Sequence, residues 1–211
     1  MNDIDLCHFG DRCAPGIIIN DILKYGIKGL FMLGKYSFND ILMYLNDCNY
    51  ENIYNKNELI ILPDNEVKHS KYNFVFNHDY IIDKSNLTNY NIVRDRFDLK
   101  IKNFRNMLSS DNMCVFITFS DNVDSLKIEE MINWLKLNKK RFHLIIITNK
   151  EYSIKNILHL SIIKLNPSYE QYWRMDVKPK AALYEEIYEV FINCLKQNNI
   201  EHKFPLTYPC T

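Results

Sequence analysis

Two apolar runs separated by a helical pattern constrain the fold of this chain more than any other feature. The runs are MCVFITF at 113–119 and HLIIIT at 143–148, and DSLKIEEMINWLKLNKK lies between them. An unbroken apolar run of this length is typical of a strand buried on both faces, and a helical crossover between two such strands makes them parallel. The sequence therefore predicts a βαβ unit within a parallel sheet that helices cover.

The flanking segments continue this alternation. DIDLCHF at 3–9 alternates polar and apolar residues and meets Gly10, which predicts a strand that runs into a turn. Helices are predicted after Pro15, after Ser37, over about 87–109 and over 181–198, and shorter strands over 28–34, near 58–63, over 72–76 and over 157–165. We expect one α/β domain over 1–211, with a mostly parallel sheet, helices on both faces in a flavodoxin- or Rossmann-like three-layer arrangement, and an extended tail from about 200.

Charge and composition narrow the function classes. Lysine plus arginine and aspartate plus glutamate number 26 each, and this balance argues against a dedicated nucleic-acid binder. The sequence contains neither an apolar run long enough for a membrane span nor a basic-then-apolar signal at its start, so we expect a soluble, cytoplasmic protein that does not bind membranes. The abundance of Asn, Ile, Lys and Tyr is typical of an AT-rich genome, such as that of a large virus, and a viral origin would place the protein in the host cytoplasm.

The cysteines are expected to be reduced. Six are present, and several lie in apolar runs such as MCVFITF and FINCLK, as buried thiols of a reducing compartment do. Cys7, His8 and Cys13 would need further ligands from elsewhere to complete a zinc site, so we expect no metal and no cofactor.

Cys13 is the strongest candidate nucleophile. It lies between the strand that ends at Gly10 and the helix predicted from Pro15, where amide groups and the positive end of the helix dipole favour a thiolate. Arg12 is positioned to add to this effect or to bind a substrate anion, and we assign Gly10 and Asp11 with it to substrate binding. The alternative is that Cys13 only packs under the turn.

His78 is the best placed of the six histidines to act as the base, because it follows the aromatic strand FVF. Neighbouring residues of an extended chain point to opposite sides, so Asp79 is a candidate for the site but not a natural partner of the His78 ring. His8 is the reserve base. We expect His69 and His202 in solvated loops, and His143 and His159 at or within strands.

This arrangement resembles a family of papain-like cysteine peptidases known from bacteria and large DNA viruses. HFGDRC is similar to the family's Leu-Gly-x-x-Cys turn, FVFNHDY to its His-Asp segment, and VRDRFDLKIKNFRNML with VFITF to its arginine-bearing helix and following strand. The resemblance covers about residues 4–165 and implies thiol-dependent acyl chemistry on a peptide or other small acyl substrate. YSFNDI matches the family's Pro-Phe-Asp-Trp segment loosely, and Thr118 stands where the family has arginine. Asn39 is the candidate orienting residue in that segment, which has Asn39 and Asp40 where the family has Asp and Trp.

Two other functions remain open. FGDRC also looks like the Gly-Asp-Ser block of esterase-like hydrolases with a flavodoxin-like sheet, although Arg12 replaces the serine and Cys13 comes one position later. The third possibility is a non-catalytic viral or cellular binding module that uses Arg94, Arg96 and Arg105 on one helix face to hold a partner. A solvated helix surface is the simpler interpretation of that face.

Overall fold

A four-stranded parallel sheet forms the centre of the protein. The computed structural model describes residues 4–10, 29–31, 34–76, 79–84, 86–120, 123–152, 157–164 and 180–202. Strands β1 (Ile4–Gly10), β7 (Met113–Phe119), β8 (Phe142–Thr148) and β9 (Leu160–Lys164) lie side by side in the order β1-β7-β8-β9, and every pair is parallel. Helix α3 (Ser125–Asn138) connects β7 to β8, so the predicted βαβ unit is confirmed.

Both faces of the sheet are buried. Successive residues of each strand point to opposite sides, so each strand contributes to two cores. Cys7, Phe9 and Phe116 face a core shared with α1 (Phe38–Asn46), α2 (Tyr90–Ser109) and α3. Leu6, Ile117 and their neighbours face a second core, to which α4 (Lys180–Gln197) contributes. The predicted α/β sheet with helices on both faces is therefore confirmed.

The helices begin where local sequence favours them. Ser37 accepts a hydrogen bond from the Asp40 amide at the start of α1, and Asp124 accepts one from the Leu126 amide at the start of α3. The buried side of α2 follows the predicted three-to-four spacing. Its buried residues are Val93, Phe97, Ile101 and Phe104.

Short antiparallel strands fill the chain between α1 and α2. Strands β2 (Leu59–Ile61), β3 (Val67–His69) and β4 (Val75–Phe76) form one small sheet, and β5 (Ile82–Asp83) pairs with β6 (Asn86–Leu87). Two short 3₁₀ helices, Tyr50–Tyr54 and Lys56–Glu58, precede β2. The strand predicted near 58–63 is confirmed as β2, which pairs antiparallel with β3.

Two predictions about local structure are wrong, and a third is confirmed only in part. Residues 29–31, within the predicted strand 28–34, form a turn that inserts Leu30 and Phe31 fully into the core. The predicted strand 72–76 shrinks to Val75–Phe76. His69 is buried rather than solvated, because its Nε2 lies 2.7 Å from the Asn52 carbonyl oxygen and its ring packs against Tyr72.

Two further predictions concern a helix near the start of the chain and the absence of a membrane span. The helix predicted after Pro15 lies outside the described residues. Among the helices that the structure describes, none is both long and apolar enough to cross a membrane.

Candidate functional site

Polar side chains cluster at the carboxyl ends of three neighbouring strands. His8, Thr118 and Thr148 lie in or at the end of β1, β7 and β8, and Ser120 follows β7; all four are buried. The Ser120 amide donates to the Ile147 carbonyl at 3.1 Å, which extends the ladder by one residue. In parallel α/β sheets the carboxyl edge is where ligands bind, so this edge is the candidate site.

His8 is the least satisfied polar residue of this edge. Its ring is 1 % exposed, and neither Nδ1 nor Nε2 has a hydrogen-bond partner within the described parts of the chain. Burial lowers the pKa of His8 to about 3, so the ring is neutral at physiological pH. It points to the face of the sheet that α4 covers, like Leu6 and Ile117.

Gly10 is a glycine for a steric reason. The His8 ring lies across its Cα, and a Cβ at position 10 would overlap the ring atoms. The absence of a side chain at the last residue of β1 therefore lets the histidine ring lie flat over the strand end.

Asp79 is buried in the turn after β4, next to cationic groups of α2. Its carbonyl oxygen accepts hydrogen bonds from Asn89 Nδ2 at 2.8 Å and from the Arg96 guanidinium at 3.2 Å. Burial lowers the pKa of Lys100, while the charge of Asp79 raises it and that of Arg96 lowers it. The Asp79 segment is thus held against α2 by two hydrogen bonds to its backbone and by charge.

A chain of aromatic contacts connects the end of β1 to the end of β4. Phe9 meets Phe31 with ring centroids 5.6 Å apart, Phe31 meets Tyr36 at 6.0 Å, and Tyr36 meets Phe76 at 6.1 Å, all edge to face. Phe76 in turn meets Tyr80 and Phe97. We call the set Phe9, Phe31, Tyr36, Phe74 and Phe76 the aromatic cluster. Both predicted catalytic segments follow strands that end in this cluster.

The predicted site residues divide into two groups. Asp11, Arg12, Cys13 and His78 lie outside the described residues. Gly10 and Asp79 occupy the positions given above, and Asn39 is exposed in the first turn of α1.

Thr118 is buried in the central sheet. It lies in β7 beside Phe9 and Ile146, 1 % exposed, on the face of the sheet that bears the aromatic cluster. Its hydroxyl group therefore lies in the interior of the protein.

The arginines of α2 do not form one shared surface. Arg94 pairs with Asp95 and Arg105 with Glu51, both on the surface, whereas Arg96 reaches the Asp79 carbonyl. Each arginine is engaged with a different part of the chain. This arrangement gives no support to a binding module built on that face.

The described cysteines and histidines do not assemble a metal site. Cys7 and His8 are consecutive in β1 and point to opposite faces, and no cluster of three potential ligands occurs in the part of the chain that the structure describes. Burial raises the pKa of Cys7 and of Cys114 well above the usual range. Both are therefore inert neutral thiols.

Sequence reasoning overlooked a second polar cluster at the amino edge of the sheet. His143 in β8 and His159 before β9 were predicted to be ordinary strand residues, and His143 is indeed buried and hydrogen-bonded to Ser161. Both also line a cavity with Arg141. The signal available in the sequence was the triplet Arg141-Phe142-His143 at the start of an apolar run.

Comparison of the chain with family models, with curated proteins and with solved structures found no match.

Proposed function

We propose that the protein is a thiol-dependent acyl hydrolase or transferase in which Cys13 is the nucleophile and His78 the base. The observation that supports the proposal is the aromatic cluster, which ties the end of β1 to the end of β4. Cys13 follows Gly10 by three residues and His78 follows Phe76 by two, so both leave from the same packed core. A short tether from a rigid element suits a catalytic pair, which needs its two groups within hydrogen-bond reach.

The same geometry favours His78 over His8. Phe9 and Phe76 both belong to the core on the cluster side of the sheet, whereas His8 points to the other face. A histidine with a pKa of about 3 also holds a proton too weakly to stabilise a thiolate as an ion pair near neutral pH. His8 is therefore assigned a structural role over Gly10.

In the proposed reaction the Cys13 thiolate attacks a substrate carbonyl while His78 holds the thiol proton. His78 then returns that proton to the leaving group as its bond to the carbonyl carbon breaks, which leaves a Cys13 thioester. Water, or an acceptor nucleophile in a transferase, loses a proton to His78 and attacks this thioester, so that the acyl group is released and the Cys13 thiolate and protonated His78 are restored. Backbone amides of the segment 13–16 stabilise the oxyanion, and Arg12 binds an anionic part of the substrate. Asp79 acts as a positioning residue, because its backbone is fixed to Asn89 and Arg96 and so limits where His78 can lie. The substrate class is an amide, peptide or other small acyl compound.

The order of the strands supports a flavodoxin-like sheet as the scaffold. Such a sheet has the order 2-1-3-4-5, and the order β1-β7-β8-β9 corresponds to its positions 1-3-4-5. The crevice of that fold opens between strands 1 and 3, which here are β1 and β7. Cys13 follows the first of these strands.

Alkylation rates provide the test. We expect Cys13 to react with iodoacetamide near pH 7 at least tenfold faster than the exposed Cys48, since activation lowers the pKa of a thiol. Peptide mass spectrometry separates the two sites, and the buried Cys114 and Cys194 report any unfolding. An activity-based acylating probe should label wild type and fail to label Cys13→Ala.

Cys48→Ala is the matched control, because it removes an exposed thiol elsewhere on the chain. Probe labelling that persists in Cys13→Ala, or that is lost in Cys48→Ala, contradicts the proposal. A Cys13 that reacts with iodoacetamide no faster than Cys48 also contradicts the proposal.

A further inference from the structure

The amino edge of the parallel sheet carries a cavity of about 540 Å³ that the proposed acyl chemistry does not use. Its walls come from the residues before β8, the turn before β9 and the turn after α4. Residues that contribute polar groups are Arg141, His143, His159, Asn198, Asn199 and Glu201. A volume of this size accommodates a small organic molecule as well as an ion.

Two nitrogen-bearing side chains of the cavity, Arg141 and His159, have no side-chain hydrogen-bond partner among the residues that the structure describes. The Arg141 guanidinium makes neither a hydrogen bond nor an ion pair with any residue that the structure describes. The His159 ring packs against Phe142 with centroids 5.1 Å apart, and its nitrogens have no hydrogen-bond partner among the described residues. These donors are free to bind a ligand.

His143 is a third polar side chain of the cavity, and it is fixed in place. Its Nε2 lies 2.8 Å from Ser161 Oγ, and Ser161 Oγ accepts a hydrogen bond from Asn198 Nδ2 at 3.1 Å. Asn198 in turn donates to the Cys194 carbonyl at 2.8 Å, so the ring is oriented by a chain of three hydrogen bonds. Burial and, to a smaller extent, the neighbouring His159 lower the pKa of His143 to about 4.

The charged residues that line the cavity are one cation and one carboxylate. Arg141 is cationic, the buried Cys194 thiol stays neutral because burial raises its pKa, and Glu201 is an exposed carboxylate at the rim. Two histidines that repel each other when protonated are relieved by a negative charge between them. The backbone at His159 and Asn199 adopts positive φ values of 70° and 54°, which these residue types tolerate better than most, and both residues line the cavity.

We propose that this cavity binds a small molecule through an oxyanion of the phosphate class, with Arg141 as the principal ligand, the His159 ring in the cavity wall and His143 taking up a proton on binding. A guanidinium presents paired donors that match the oxygens of such a group. The site lies at the edge of the sheet opposite to the proposed catalytic edge. It is therefore a separate binding site.

Inorganic phosphate and sulfate serve as probes, measured by calorimetry and by NMR of the histidine rings at constant ionic strength. We expect saturable phosphate binding at pH 7 that Arg141→Gln weakens at least tenfold. His159→Asn, which retains a residue tolerant of positive φ, should weaken it severalfold. Arg141 is exposed, so its replacement is not expected to unfold the protein.

Lys140→Gln is the matched control, because it removes the same charge one residue earlier, outside the cavity, from a side chain paired with Asp111 at 3.7 Å. It should bind phosphate as wild type does. Sulfate does not titrate between pH 6 and pH 8, so any pH dependence of its affinity reports proton uptake by the protein. The affinity for sulfate should be at least threefold higher at pH 6 than at pH 8.

Three results would overturn the proposal. The first is no saturable binding up to about 10 mM phosphate. The second is equal weakening by Arg141→Gln and Lys140→Gln, which would mean non-specific attraction to the surface. The third is a sulfate affinity that does not change with pH.

Discussion

His8 and His143 are buried histidines on the same face of the same sheet, yet they lie at opposite edges and differ in their hydrogen bonding. His143 is hydrogen-bonded to Ser161, whereas His8 has no hydrogen-bond partner within the described residues. Burial lowers both pKa values, to about 4 and about 3. Burial is the main cause that keeps both rings neutral, and the neighbours of each ring determine whether it stabilises the fold or costs free energy.

The largest effect is expected at Gly10, which makes the position of His8 possible. Gly10→Ala places a methyl group inside the volume of the His8 ring, and we expect the free energy of unfolding to fall by about 3 kcal/mol. Urea denaturation followed by circular dichroism measures this change. The double variant His8→Ala/Gly10→Ala should recover most of the loss. A loss that persists in the double variant would mean that the strand end, and not the ring, requires glycine.

Acid should lower the free energy of unfolding through His8 and His143 by a predictable amount. Both folded pKa values lie below the usual 6.5, so the unfolded chain takes up protons first, and stability is lost as the pH falls below about 6.5. Each histidine should cost about 2 kcal/mol at pH 5 relative to neutral pH. Denaturation of wild type, His8→Leu and His143→Gln at the two pH values tests this, because the contributions of other groups cancel between variants. A variant that keeps the full acid loss shows that its histidine is protonated in the fold.

At neutral pH the two histidines should respond to leucine with opposite signs. His8→Leu removes ring nitrogens that lack partners and should raise the free energy of unfolding by about 1 kcal/mol. His143→Leu removes the hydrogen bond to Ser161 and should lower it by a similar amount. The same denaturation assay measures both. A lower free energy of unfolding in both variants would mean that His8 has a partner that stabilises it.

The sequence predicts the sheet well because its evidence is local. The runs at 113–119 and 143–148 are apolar throughout, and this pattern suffices to predict buried parallel strands and the helix between them. The same reasoning fails for Leu30 and Phe31. An apolar pair inserted from a turn into an aromatic cluster has the same local sequence as a short strand.

The histidines show why the site was harder to predict. His69 lies among polar neighbours, a pattern typical of a solvated loop, but its partner is the carbonyl of Asn52, 17 positions earlier. His8 lies two residues before Gly10, and the sequence suggested it only as a reserve base. The orientation of its ring depends on the alternation of side chains along β1 and on the core shared with α4. Contacts between distant segments determine both environments, and the local pattern carries no record of them.

The most direct test of the proposed function is the pH profile of Cys13 alkylation in three proteins: wild type, His78→Gln and His8→Leu. If His78 stabilises the Cys13 thiolate, its replacement should slow alkylation near pH 7 at least tenfold and move the profile toward that of an ordinary thiol. His8→Leu should retain the wild-type profile. The reverse pattern, a profile changed by His8→Leu and unchanged by His78→Gln, would contradict the assignment of the catalytic pair.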